Sequence, residues 1–215
     1  MKKLIFSILL LISVTICCGM THKKITAIGA ENSATMDTSF VPTDSKQLYF
    51  PLKDCLDSFK NTWYSKHLFA LREPIIFMDK SKNEIYRFTW LRTFNNPVAI
   101  RIEKRDNQYL LFWKLSDGAG GYKPGRLSIN KHKTIDKQIW DTFLNKLNEI
   151  GFWSLATNDD ENLGFDGSQW ILESKTPNQY HVVDRWTPNE KSKYYQTCNF
   201  LIDLTDLKIQ GDDKY

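Results

Sequence analysis

Asp166, Glu173, His181, Asp184 and Arg185 fall close together in residues 151–186, GFWSLATNDDENLGFDGSQWILESKTPNQYHVVDRW. A histidine with a carboxylate in hydrogen-bond reach is the minimum for general acid/base work, so hydrolase-type chemistry would sit here. The catalytic candidates are His181, Glu173 and Asp166. The stretch also carries Trp153, Trp170 and Trp186, three of the seven Trp of the chain. As a binding surface, the aromatic and cationic group Trp170, Arg185 and Trp186 is the candidate.

Side-chain alternation restricts these candidates. With Thr176, Pro177, Asn178 and Gln179 as a turn, residues 168–186 form a hairpin in which Lys175 faces Tyr180 and Trp170 faces Arg185. Trp170, Leu172 and Ser174 then share a face with His181, Val183 and Arg185. Gln169, Ile171 and Glu173 share the other with Tyr180, Val182, Asp184 and Trp186. His181 points away from both hairpin carboxylates, which leaves Asp166, in the preceding loop, to approach it from outside. Structural roles serve the set better: Arg185 over Trp170 as a cross-strand cation–π pair, and Glu173 paired with a Lys or capping a helix.

Other chemistries find less support. Residues 158–166, NDDENLGFD, have the oxygen-rich composition of a calcium loop, but no Gly stands at the tight turn and no Glu at the closing position. A solvated loop is the better reading. Residues 116–126, SDGAGGYKPGR, carry four Gly, yet the Lys-Ser/Thr ending of a phosphate cradle is missing and no helix opens behind. They read as a connection between strands. The four His, at 22, 67, 132 and 181, show no metal spacing, and there is no Cys-x-x-Cys. No Gly-x-Ser-x-Gly elbow is present either. No metal and no cofactor is expected. Cys55 and Cys198 fall on the apolar faces of the first and last helices. They would join as a disulfide if their Cα atoms came within about 7 Å, and otherwise remain buried thiols.

The N-terminus carries a different kind of signal. Met1, Lys2 and Lys3 precede thirteen mostly apolar residues, 4–16, and then Cys17 and Cys18. A membrane-spanning helix needs about 20 such residues, so this run fits a secretory leader. The run followed by Cys resembles a bacterial lipoprotein signal, in which a Cys becomes the mature N-terminus and carries acyl chains. Val14 and Thr15 match the outer positions of the box before Cys17, with Ile16 at the position of a small residue. Reading Cys18 as the lipidated residue puts Cys17 at the small position and Thr15 at the branched one. The alternative is ordinary secretion with cleavage after Gly29. The resemblance implies a domain held outside the cytoplasm, anchored to a membrane through its N-terminal lipid, each buried methylene adding about 0.8 kcal/mol. Losing Lys2 and Lys3 with the leader takes the 29 basic residues to 27, against 25 acidic ones. That balance gives no reason to expect a nucleic-acid partner.

The elements that must position these residues follow in order. Residues 1–17 are the leader and 18–45, poor in aromatics, a flexible tether. The domain covers 46–209 and a frayed tail 210–215. Residues 47–50 read as a strand, and Pro51 opens a helix to about residue 66 with Leu52, Cys55, Leu56, Phe59 and Trp63 on its buried face. Strands are expected over 75–78, 84–92, 98–104, 108–115 and 127–132, with Ile100 and Ile102 inward and Arg101 and Glu103 in water. A helix capped by Thr134 carries Ile135, Ile139, Trp140, Phe143, Leu144, Leu147 and Ile150 and ends at Gly151. The hairpin comes next, and then a helix over 191–207 burying Tyr194, Tyr195, Cys198, Leu201 and Ile202. The sum is an α+β fold: an antiparallel β meander plus a C-terminal β-hairpin, with about three helices packed on one side.

The pattern over 140–186, a helix ending GFW, a loop, DGSQWILE and YHVVDRW, resembles small secreted proteins and lipoproteins of Gram-negative bacteria with no assigned role. It implies no activity. The expectation is an envelope lipoprotein with a non-enzymatic domain that binds an envelope protein or a glycan. The alternatives are an immunity or inhibitor-type lipoprotein, or a hydrolase-like enzyme using Asp166, Glu173 or His181.

Overall fold

The computed structural model describes residues 41–53, 55–159, 164 and 166–209. The expectations for the leader, for Cys17 and Cys18, for most of the tether, for the middle of the acidic loop and for the tail lie outside the described residues. Turn residues punctuate the chain into six strands: β1 Glu84–Arg92, β2 Val98–Arg105, β3 Gln108–Ser116, β4 Leu127–Thr134, β5 Ser168–Lys175 and β6 Tyr180–Trp186. They form one antiparallel sheet in the order β4-β3-β2-β1-β5-β6. Three helices accompany it: α1 Ser58–Ala70, α2 Lys137–Glu149 and α3 Lys193–Asp203. The α+β class, the meander and the hairpin are as expected, and so is the hairpin register, with Trp170 opposite Arg185 and Lys175 opposite Tyr180.

The sheet is covered on both faces. On one, Tyr86, Phe88, Trp90, Ile100, Ile102, Trp170, Leu172 and Val183 pack against Trp140, Phe143 and Leu147 of α2 and Tyr194, Cys198 and Leu201 of α3. On the other, Leu91, Ala99, Ile171 and Val182 pack against Tyr64 and Leu68 of α1, with Tyr49 and Phe50. The helices are therefore split between two sides, because α1 precedes the sheet and folds over the face that α2 and α3 leave open. The same split keeps Cys198 and Cys55 on opposite faces, and both are free thiols.

Two-sided cover also overturns the expectation that Arg101 and Glu103 are in water. Both are completely buried, as are Arg87 and Glu173. Arg72 ends α1 in a left-handed conformation, φ 50°, and delivers Glu73 beneath the sheet. The Glu73 carboxylate meets Arg101 at 2.9 Å, Lys114 at 3.0 Å and Arg87 at 3.6 Å. Arg87 also pairs with Glu173, and Arg101 with Glu103. Burying charge is tolerable only in such mutually paired sets.

Local corrections have equally definite causes. Residues 47–50 are not a strand: the Tyr49 N–H donates to Ser65 Oγ at 2.9 Å, and the Phe50 carbonyl accepts from Asn61 Nδ2 at 2.9 Å. Side chains of α1 thus take the place of a neighbouring strand, which is why Asn61 and Ser65 lie on its buried face. The helix starts later than Pro51, capped by Asp57, whose carboxylate accepts from the Lys60 N–H at 2.8 Å. Its buried face carries Tyr64 and Leu68, while Phe59 and Leu52 are exposed. Residues 76–78 form a short 3-10 helix. Thr134 ends β4, so Asp136 takes the cap position of α2, and Gly151 follows that helix at φ 61°.

Candidate functional site

The strands separate the catalytic candidates. His181 stands opposite Ser174, whereas Asp166 precedes the start of β5 at Ser168. Six residues of strand span about 20 Å, so the exposed Asp166 is at the far end of the hairpin from His181. His181 Nε2 instead lies 2.9 Å from the Leu155 carbonyl, with its ring against Phe152 and Trp153. Burial lowers its pKa, which favours the neutral ring. Glu173 is on the other face, where it pairs with Arg87 and accepts from Tyr180 Oη at 2.7 Å. Its partner is thus an Arg, not a Lys or a helix end. Burial raises its pKa against the pull of Arg87 and Tyr180.

Asp184 and Arg185 have structural work. Asp184 accepts from Tyr64 Oη at 3.0 Å and pairs with Lys60 at 2.9 Å, which fastens α1 to the sheet. The Asp184 N–H donates to the Thr157 carbonyl at 2.7 Å, and Arg185 Nη2 donates to the Ala156 carbonyl at 3.0 Å. Together with the His181 contact, these bonds strap residues 155–157 along β6, closing an edge that would otherwise invite another chain. Arg185 lies over Tyr194, its cation 5.7 Å from the ring centre, and not over Trp170. Trp170 stacks on Tyr195 at 4.7 Å and is core. Among the described residues, no three His, Cys, Asp or Glu are grouped to hold a metal ion.

Of the binding candidates, Trp186 and Arg185 reach a surface. Trp186 lines a cleft of about 410 Å³ together with Phe59, Thr62, Trp63, Lys66, Thr93, Gly121 and Tyr122. It also lines a second cleft of about 600 Å³ with Asp159, Arg185, Asn189 and Ser192. The aromatic walls stand open to solvent: Phe59 is 73% exposed, Tyr122 64% and the adjoining Phe94 61%. Phe59 lies 6.0 Å from Trp63, and Phe94 6.0 Å from Tyr122, between ring centres.

The first cleft is bordered by hydrogen-bonded backbone. Its floor is the glycine-rich loop: the Gly120 and Gly121 N–H groups donate to the Asn95 and Thr93 carbonyls at 3.0 and 3.1 Å. A Cβ on Gly120 would meet Arg92 backbone atoms at 2.5 Å, so close backbone approach is what this loop needs glycine for. Trp63 Nε1 donates to the Gly120 carbonyl at 2.9 Å and lies 3.1 Å from Nε2 of the buried His67. Burial holds the His67 pKa down at about 4. On the opposite wall, Gly164 and Gly167 lie against the Trp186 indole, where a Cβ would come within 2.6 and 2.8 Å of it. Thr187, β-branched and at φ 38°, turns the chain around that indole at a cost of about 1–3 kcal/mol. Its N–H donates to the Ser168 carbonyl at 2.8 Å and its hydroxyl accepts from the Ser168 N–H at 2.9 Å.

Aromatic side chains and one ammonium, that of Lys66, make up much of the lining that the described residues give this cleft. Nothing in the sequence points to Tyr122, Phe94 or Lys66. Phe59, expected on the buried face of the first helix, is exposed, whereas Trp63 is partly buried against the core as expected. The one available signal was the i, i+4 pair Phe59–Trp63 beside the i, i+4 pair Tyr64–Leu68, two apolar stripes on a helix that can bury only one. No family model and no curated protein sequence matches the chain. No helix among the described residues is long and apolar enough to cross a membrane.

Proposed function

We propose that this chain is a membrane-anchored lipoprotein of the bacterial cell envelope whose domain is a non-enzymatic binding module, with the Trp186 clefts as its ligand surface. The observation that carries the binding reading is the cluster of Phe59, Phe94 and Tyr122, whose rings stand in solvent around a cleft with a backbone-locked floor. Exposed aromatic surface of this kind costs solubility and is kept where something covers it. The hydrolase alternative is disfavoured by the separation of His181 from Asp166 and Glu173. Anchoring rests on Lys2 and Lys3, the apolar run and Cys17 and Cys18.

The anchoring half is tested by palmitate labelling of the chain and of its Cys17→Ala, Cys18→Ala and doubly substituted forms. Label that disappears in one single variant identifies the acylated residue. Label that persists in the double variant removes the lipoprotein reading. The binding half is tested by Tyr122→Ala, an exposed change that leaves the fold intact and lowers retention of whatever ligand the envelope supplies.

A further inference from the structure

We infer that the occupant of the aromatic cleft is a carbohydrate chain bearing an acidic group; this deepens the binding reading and rests on it. Sugars present flat C–H faces ringed by hydroxyls, and electron-rich ring faces flanked by hydrogen-bonding groups are their complement. Phe59, Trp63, Tyr122 and Trp186 supply the faces. Thr62 donates its own proton to the Ser58 carbonyl at 2.8 Å, so its oxygen is left as an acceptor for a ligand hydroxyl.

Charge selects among sugars. Among the described residues that line the cleft, one side chain is charged, Lys66, which is exposed and forms no ion pair with a described residue. Lys60, further up the same helix, is by contrast committed to Asp184 at 2.9 Å. One ammonium beside aromatic faces is complementary to one carboxylate or phosphate. Trp186 lines both clefts, so a chain longer than the aromatic cleft would next meet Arg185, Asn189 and Asp159; the acidic group is therefore placed at Lys66.

The test uses the full chain in detergent micelles and tryptophan fluorescence titrations. The probes are acidic oligosaccharides, uronate-bearing and phosphate-bearing, each with its neutral counterpart. The acidic member of at least one pair is expected to bind more tightly, with the difference shrinking at high salt. Tyr122→Ala and Phe59→Ala each weaken binding about fivefold. Lys66→Gln keeps the neutral sugar's affinity and removes the preference for the acidic one. If no acidic probe binds better than its neutral counterpart, or if Lys66→Gln leaves the preference intact, the inference is overturned. If sugars fail altogether while a photoreactive residue at position 122 crosslinks to an envelope protein, the carbohydrate inference falls and the binding-module reading stands. Failure of both removes both.

Discussion

Glu73 shows how much a single carboxylate organises. It is buried among Arg87, Arg101 and Lys114, and their positive charge, against its desolvation, holds its pKa down at about 2 from an ordinary 4.5. Its ionised form therefore stabilises the fold above about pH 4.5, and that contribution is lost as pH falls toward 2. Replacing it leaves Lys114 without its carboxylate and takes one of two from Arg87 and from Arg101, so Glu73→Gln is expected to cost about 3–5 kcal/mol in urea unfolding at neutral pH. A loss below about 1 kcal/mol would show that the network adds nothing. His67 has the opposite chemistry and the same direction of pH dependence. With its pKa lowered to about 4 from 6.5, the unfolded chain takes up the proton first, so stability falls between pH 6.5 and 4. Across that window the stability gap between wild type and His67→Gln should narrow by about 1–3 kcal/mol. A constant gap would mean that His67 titrates normally. Neither role was legible, because a charged residue's sequence neighbours do not disclose that a remote turn such as 72–73 will cover it.

At the scale of elements, the strands were the legible part. Asn95, Asn96 and Pro97, Asp106 and Asn107, and 176–179 mark the turns, and alternation between them placed every hairpin side chain on its correct face. Alternation could not tell that both faces of the sheet are covered, so Arg101 and Glu103 were put in water. The sequence of α1 is ambiguous because it has two apolar stripes, and the helix fully buries the one that also contains Asn61 and Ser65, leaving Phe59 exposed and Trp63 partly buried. That outcome has a direct test. Leu68→Ala should cost about 2–5 kcal/mol, and Phe59→Ala less than about 0.5 kcal/mol. Reversed magnitudes would restore the face expected from sequence. The glycine-rich loop gives another: Gly120→Ala forces a methyl into the Arg92 backbone and should cost about 1–3 kcal/mol while disturbing the cleft floor. Unchanged stability would mean that the loop does not lie against β1.

At the scale of the whole molecule, the clefts assemble from pieces far apart in the chain: α1, the β1–β2 corner, the loop after β3 and the end of β6. That dispersal is why the sequence points only to Arg185 and Trp186 of this surface, while the other clustered polar residues of 151–186 fasten an edge strand. On the proposed function, a leader with a lipidated Cys holds this surface near a membrane, beside the partner proposed for it. On the same reading the cleft, and no other open surface, meets that partner. That contact is tested most directly by placing p-benzoylphenylalanine in the full-length protein in intact cells, as Tyr122→p-benzoylphenylalanine in the cleft or Lys131→p-benzoylphenylalanine on the exposed strand β4. Irradiation is expected to give a crosslinked adduct from position 122 and none from position 131. Equal adducts from both positions, or none from position 122, would contradict the claim.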